Sequence, residues 1–218
     1  MTNDLIKKIK EQKPNIIVLT GDLIDSRKIN IDIAINFIKN INAIAPIYFV
    51  TGNHEANISN FSQIKEELEK NKVIILNNRT EVLKINESEI NLIGIDDPRM
   101  AHENTVSDSE IVNVELSNSK YNQNKYNILL SHRPELFDIY VNKKLDLILA
   151  GHAHGGQIRI PFIGGLVAPN QGFFPKYTSE LYEKNETTMI LNRGIGNSII
   201  PFRINNRPEL VVITLNNV

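Results

Sequence analysis

Apolar residues along this chain fall into short continuous runs that alternate with stretches of helical period. Residues 4–13 put Leu5, Ile6 and Ile9 on one stripe and stop at Pro14, which predicts a short amphipathic helix. Residues 15–20 read as an apolar strand that ends at Gly21-Asp22. Helical spacing returns over residues 31–44, with Ala34, Phe37, Ile38 and Ile41 on one face, and Ala45-Pro46 ends it. A second strand over 47–50 leads into Thr51-Gly-Asn-His-Glu55, and a third helix is predicted over 59–71.

Further strands are predicted at 73–76, 81–85, 90–95, 126–130, 145–150, 158–160, 187–191 and 209–215. The polar segment 100–125 reads as a loop with one helical piece, and Pro134 starts a short helix through Tyr140. The early strands are too apolar to have a wet face, as in sheets covered by helices. Most strands lie in the second half with few helices among them. That pattern favours an α+β fold of two packed sheets with outer helices over a doubly wound sheet. No repeat, linker or low-complexity block interrupts the 218 residues, so one domain is expected.

Four of these strands end in polar residues: Gly21-Asp22, Gly52-Asn53-His54-Glu55, Ser131-His132 and Gly151-His152-Ala153-His154. The crevice at the carboxyl ends of strands is the usual site position in such sheets. The chain has five histidines, and all but His102 fall in these clusters. Asp22 is a carboxylate able to bridge two cations, Asn53 offers a neutral carbonyl oxygen, and His132, His152 and His154 offer nitrogens. With no cysteine in the chain, thiolate sites and disulfides are excluded. Mixed nitrogen and oxygen donors suit Mn, Fe, Zn or Ni more than Ca. Two cations about 3.5–4 Å apart would hold a bridging hydroxide and clamp a phosphate during in-line attack. His54 has the right chemistry to protonate the leaving oxygen.

Each cluster also has an ordinary reading. Asp22 alone fits a helix N-cap, Asn53 a turn, His132 a helix start, and His54 with Glu55 a solvated pair. Their occurrence in this order, each after an apolar strand, is what favours a metal site. Net charge is -1 with both signs interspersed, which leaves no basic footprint for nucleic acid. No apolar run approaches the roughly 20 residues of a spanning helix, and no signal peptide is visible.

The four blocks together resemble the successive signatures of the calcineurin-like metallophosphoesterases, over nearly the whole chain. Gly155-Gly156-Gln157, Pro161, Gly164, Gly165, Arg193-Gly-Ile-Gly196, Pro201-Phe-Arg203 and the final strand resemble its bacterial branch. Members of that branch are typically membrane-anchored; some act on UDP-2,3-diacylglucosamine and others are linked to the cell wall. The resemblance implies a four-layer αββα sandwich with a dinuclear site at the sheet edges, cleaving a phosphomonoester, phosphodiester or pyrophosphate bond in a small or lipid-linked substrate. It implies that Asp22 bridges two divalent metal ions, that Asn53, His132 and His152 complete one shell, and that His154 belongs to the other. His54 would be the acid, and Arg133 and Arg193 would lie near the phosphate. Asp96 and Asp97 read as turn residues or as partners orienting a ligand histidine.

The family pattern begins with an Asp-x-His block on a first strand, and no such block precedes Asp22 here. The chain is therefore expected to be an N-terminally shortened form of a complete enzyme that lacks the first strand. The alternative is a single-metal or phosphate-binding protein with little or no turnover. A cytoplasmic location is expected for the chain as given, and a membrane location if a longer N-terminus carries an anchor.

Overall fold

In the computed structural model, which describes residues 2–85, 88–103, 105–198 and 202–216, two sheets face each other between two layers of helix. The first sheet is built by α1 (Thr2–Gln12), β1 (Ile17–Thr20), α2 (Ile31–Asn42), β2 (Ile47–Val50), the single turn α3 (Asn53–Ala56), α4 (Phe61–Lys70) and β3 (Val73–Ile75). Its strands run parallel in the order β1-β2-β3. β1 pairs only with β2 among the described residues and forms one edge.

The second sheet follows with β4 (Arg79–Ile85), β5 (Ser88–Gly94), α5 (Asp108–Asn118), β6 (Tyr126–Leu130), α6 (Phe137–Val141) and β7 (Leu147–Ala150). Four two-residue strands, β8 (Arg159–Ile160), β9 (Gly164–Gly165), β10 (Val167–Ala168) and β11 (Gly172–Phe173), form two minimal hairpins. β12 (Glu180–Lys184) and β13 (Thr187–Leu191) then close a six-stranded order β12-β13-β7-β6-β5-β4.

Strand alternation sorts the core into layers. Ile47 and Phe49 face α1, α2 and α4, where they meet Ile9, Ile38, Ile41, Ile64 and Leu68. Tyr48 and Val50 face the other sheet and pack on Leu92, Ile128, Leu130, Leu147 and Leu149. Ile93, Leu129, Ile148 and Met189 turn outward onto Val112 and Leu116 of α5 and Phe137 and Tyr140 of α6. The expected four-layer αββα sandwich is therefore what these strands build. Each fully buried aliphatic side chain in it contributes roughly 1.5–3 kcal/mol.

Three elements depart from the sequence reading. The strand expected over 209–215 does not form, although Leu210 to Ile213 is a continuous apolar run. Leu210 and Val212 are exposed, and no described strand edge pairs with the segment. An apolar run marks a segment that can pair; a ladder also needs a free edge in reach. Conversely, β12 was not expected, because a mostly exposed strand carries no apolar run; its antiparallel register with β13 defines it. The Gly/Pro-rich stretch after Gln157 holds two tight hairpins rather than a plain loop, with β8 the remnant of the strand expected at 158–160. Pro201 lies outside the described residues.

Because β1 and β2 run parallel, as do β6 and β7, all four carboxyl ends emerge along one rim of the sandwich.

Candidate metal centre

β1 ends at Thr20, β2 at Val50, β6 at Leu130 and β7 at Ala150, and two or three residues after each end, a polar side chain enters the rim. The approach is close. A Cβ on Gly52 would lie 2.4 Å from Asp22 Oδ1 and 2.9 Å from His132 Cε1, so only glycine lets the two sheet ends meet here. Asp22 itself sits at φ 55, a left-handed conformation, and its Oδ1 accepts the His54 backbone N–H at 2.9 Å.

His132 fixes the chemistry of the centre. Its Nδ1 lies 2.7 Å from the carbonyl oxygen of Thr20. A carbonyl only accepts, so Nδ1 carries a proton, and in the neutral ring Nε2 presents a lone pair. Around that Nε2 stand Asp22 Oδ2 at 3.2 Å, Asn53 Oδ1 at 3.2 Å and His152 Nδ1 at 3.0 Å. Among the described residues, Asp22, His132 and His152 form a compact group of potential metal donors, their ligand atoms all within 4.8 Å of one another. Several acceptor atoms crowded on one point repel one another unless a proton or a cation sits among them. Burial pushes the His132 pKa down, but the Asp22 charge and hydrogen bond outweigh it and the net shift is upward. Asp22 goes the other way: burial raises it, and His132 with His54 pulls it well below the usual carboxylate range. His152 is held neutral by burial and by its charged neighbours.

His154 belongs to the same rim. Its Nδ1 is buried without a partner, as is Nε2 of His152. Burial lowers the His154 pKa to about 4, against the pull of the Asp22 charge. A neutral imidazole with a buried, unused nitrogen beside a carboxylate fits a cation. The donor set of one carboxylate, one amide oxygen and three imidazoles suits a borderline divalent ion such as Mn, Fe, Zn or Ni.

His54 points differently. Its Nδ1 accepts the Ser26 backbone N–H at 3.0 Å, so the neutral ring carries its proton on Nε2. That Nε2 lies 4.0 Å from Asp22 Oδ2, beside the donor cluster. Asp22, Asn53, His54, His132, His152 and His154 are thus brought to one place.

Arg133 is not among them. The Arg133 guanidinium is fully buried and grips Asp97 through both Nε and Nη2, the latter at 2.9 Å from Oδ1, with Glu135 at 3.3 Å from Nη1. The expectation that Arg133 touches phosphate is corrected: its donors are spent inside the fold. Arg193 donates to Glu180 at 2.7 Å and lies 3.8 Å from Glu209, so it too is engaged in ion pairs. Asp97 is correspondingly a buried partner of Arg133 and not a plain turn residue. Asp96 binds Thr51 Oγ1 at 2.8 Å and Asn77 at 2.9 Å, tying the end of β5 to the end of β2. His102 is exposed, as expected.

Two residues that matter here carried no weight in the sequence. Glu55 was read as half of a solvated pair, yet it is 1 % exposed. Its carboxylate accepts backbone N–H groups from Gly52 at 2.7 Å, Asp22 at 2.8 Å and Ile24 at 3.2 Å. The signal was present: a Glu three residues after the N-cap is the spacing of a capping box. Asn206, the second, had no signal at all.

Similarity to known proteins agrees with this geometry. The family model for calcineurin-like phosphoesterases matches residues 1–156, which include all six converging residues. An uncharacterized metallophosphoesterase of Bacillus subtilis, YkuE, is 28 % identical over 214 residues, covering 97 % of this chain and 71 % of YkuE. The phosphodiesterase YaeI of Escherichia coli is 27 % identical over 208 residues, covering 94 % of this chain and 72 % of YaeI. Among solved structures, the phosphopantetheinyl hydrolase PptH of Mycobacterium tuberculosis superposes with a TM-score of 0.52 over 81 % of this chain and 77 % of that one. At 10 % identity that likeness is one of fold alone. No helix among the described residues is long and apolar enough to cross a membrane. With the match over residues 1–156, the chain belongs to the calcineurin-like phosphoesterases, hydrolases of phosphate esters.

Proposed function

We propose that this chain hydrolyses a phosphodiester, and related phosphomonoester or pyrophosphate bonds, at the rim formed by Asp22, Asn53, His54, His132, His152 and His154. Asp22, Asn53, His132 and His152 would hold one divalent cation, and Asp22 with His154 would contribute to a second. Such ions supply Lewis-acid polarisation of the phosphoryl group and a water of lowered pKa. His54, with its Nε2 proton turned toward the donor cluster, donates to the leaving oxygen. The Ser26 N–H on its other nitrogen keeps the ring in that tautomer.

The observation that carries this reading is the meeting of acceptor atoms at His132 Nε2, with the proton of that ring fixed on the far side by Thr20. Hydrolysis of bis(p-nitrophenyl) phosphate with and without Mn²⁺ tests it. Metal-stimulated turnover that disappears in His132→Ala supports the reading, and no turnover with any of Mn, Fe, Zn or Ni ends it. The resemblance to the bacterial branch extends the proposal to a lipid-linked pyrophosphate of the UDP-2,3-diacylglucosamine kind, assayed beside the chromogenic diester.

A second reading has its own support. The compact donor group found among the described residues is Asp22, His132 and His152, which suffices for one cation. On this reading the chain binds one metal, or a phosphate on it, and turns over little. Metal analysis separates the two: one ion per chain without turnover supports the second reading.

A further inference from the structure

The segment 202–216 is irregular and largely exposed, yet Asn206 within it is 2 % exposed. It is the one buried residue of that segment, and it is polar. Burial of an amide is unfavourable unless its hydrogen bonds are made. Its two donor bonds go to the turn that carries His154, while Oδ1 is buried without a partner. Asn206 Nδ2 donates to the carbonyl of His154 at 2.7 Å and to the carbonyl of Gln157 at 3.0 Å.

The turn so bracketed is strained. His154, Gly155 and Gly156 have φ of 48°, 64° and 78°, and Gln157 follows at φ 58°, ψ -68°, so four residues in a row have positive φ. Glycine adopts positive φ freely, but for His154 it costs roughly 1–2 kcal/mol, and the γ-turn conformation of Gln157 is rare and strained. Strain of this kind persists only where the surroundings over-determine it. Here they do. The Asn206 amide spans the first and last residues of the run, and a Cβ on Gly155 would lie 2.2 Å from Asn206 Oδ1. An isolated bridge between Ile158 and Ile204 and the bond from Arg159 N to Ile204 O at 3.0 Å hold the segment against the turn.

We propose that Asn206 is a positioning residue: by tying the carbonyls of His154 and Gln157 it holds the positive-φ turn that aims the His154 imidazole at the Asp22 side of the centre. This rests on the functional reading above only for its effect on metal; the effect on His154 itself stands apart. Because Asn206 touches neither His132 nor His152 in this structure's hydrogen bonds, its loss acts on one side of the site.

The test uses Asn206→Ala and the nearly isosteric Asn206→Asp, which keeps the size but removes both donors. In the metal-free chain, ¹⁵N imidazole NMR reads each ring directly. The His154 signals shift or broaden in both variants, while those of His132 stay in place. Titration with Mn²⁺ then shows the more weakly held ion losing affinity on the order of tenfold in Asn206→Ala, as expected for two buried neutral hydrogen bonds. The tighter ion changes by less than about twofold. Asn206→Asp loses more than Ala, because it sets a carboxylate against two carbonyls. A merely structural role would lower the melting temperature while leaving the two ions and the two rings equally affected. That result, or an unmoved His154 signal, overturns the proposal. Should Asn206→Ala fail to fold, Asn206→Ser, which retains one donor, is read in the same way. If the wild-type chain binds none of Mn²⁺, Fe²⁺, Zn²⁺ or Ni²⁺, the functional reading fails, and the His154 signal alone still decides the role of Asn206.

Discussion

The backbone N–H of Asp22 is held by the carboxylate of Glu55, at 2.8 Å. One buried acid thus fixes the main chain from which another acid faces the rim. Burial, with the Asp22 charge added, pushes the Glu55 pKa up to about 7, while the Gly52 and Asp22 N–H groups pull against that rise. The arrangement ties the ends of β1 and β2 together beneath the donor cluster.

Glu55→Gln keeps the shape but offers one acceptor oxygen where three N–H groups converge. At least one N–H then faces the amide NH₂. A buried N–H left without an acceptor costs roughly 1–3 kcal/mol, so urea unfolding should show a loss of about 2 kcal/mol. Mn²⁺ affinity, read by calorimetry, should fall with it, because Asp22 is no longer held at its left-handed φ. Unchanged affinity would mean that Asp22 holds its place without Glu55.

Asp22 and His54 should separate cleanly. Asp22→Asn removes the anionic donor and should strip metal from the chain. His54→Gln should leave metal content near that of the wild type while slowing turnover by about 10²–10⁴-fold, the usual worth of a positioned proton donor. Metal content by elemental analysis and turnover on a chromogenic diester are measured on the same preparations. Equal metal loss in both variants contradicts the division of roles.

Arg133 and Arg193 should act on stability in very different measure. Arg133→Ala leaves Asp97 buried and uncompensated, which should cost about 3–5 kcal/mol in denaturant unfolding. Arg193→Ala removes a pairing to the exposed Glu180 and should cost no more than about 1 kcal/mol. A folded Arg133 variant whose only defect is a raised KM for the diester would restore the phosphate-contact role.

Metal removal should lower the melting temperature. An ion that binds only the folded chain stabilises it by about 2.7 kcal/mol at a hundredfold excess over its Kd. A chelator should therefore shift the wild-type unfolding curve and leave that of His132→Ala in place. A wild-type melting temperature indifferent to both Mn²⁺ and chelator would argue against any cation at the rim.

Much of this was legible in the chain because its signals are local. The run 147–150, apolar and then broken by Gly151, needs only its own residues to be read as a buried strand with a polar end. The same holds for 17–20, 47–50 and 126–130. Parallel pairing then delivers Asp22, Asn53, His132 and His152 to one rim. What the sequence could not say depends on partners far along the chain. Arg133 looks like any arginine beside a histidine until Asp97, thirty-six residues earlier, is folded against it. The apolar run within 209–215 is a strand pattern, but pairing depends on which edge tertiary packing leaves in reach. Asn206 reaches the His154 carbonyl across a separation of 52 residues. Periodicity and local turn chemistry therefore set the elements and the ligand types. Only packing decided which buried polar groups satisfy one another, since a hydrogen bond or an ion pair is defined by distance in space and not along the chain.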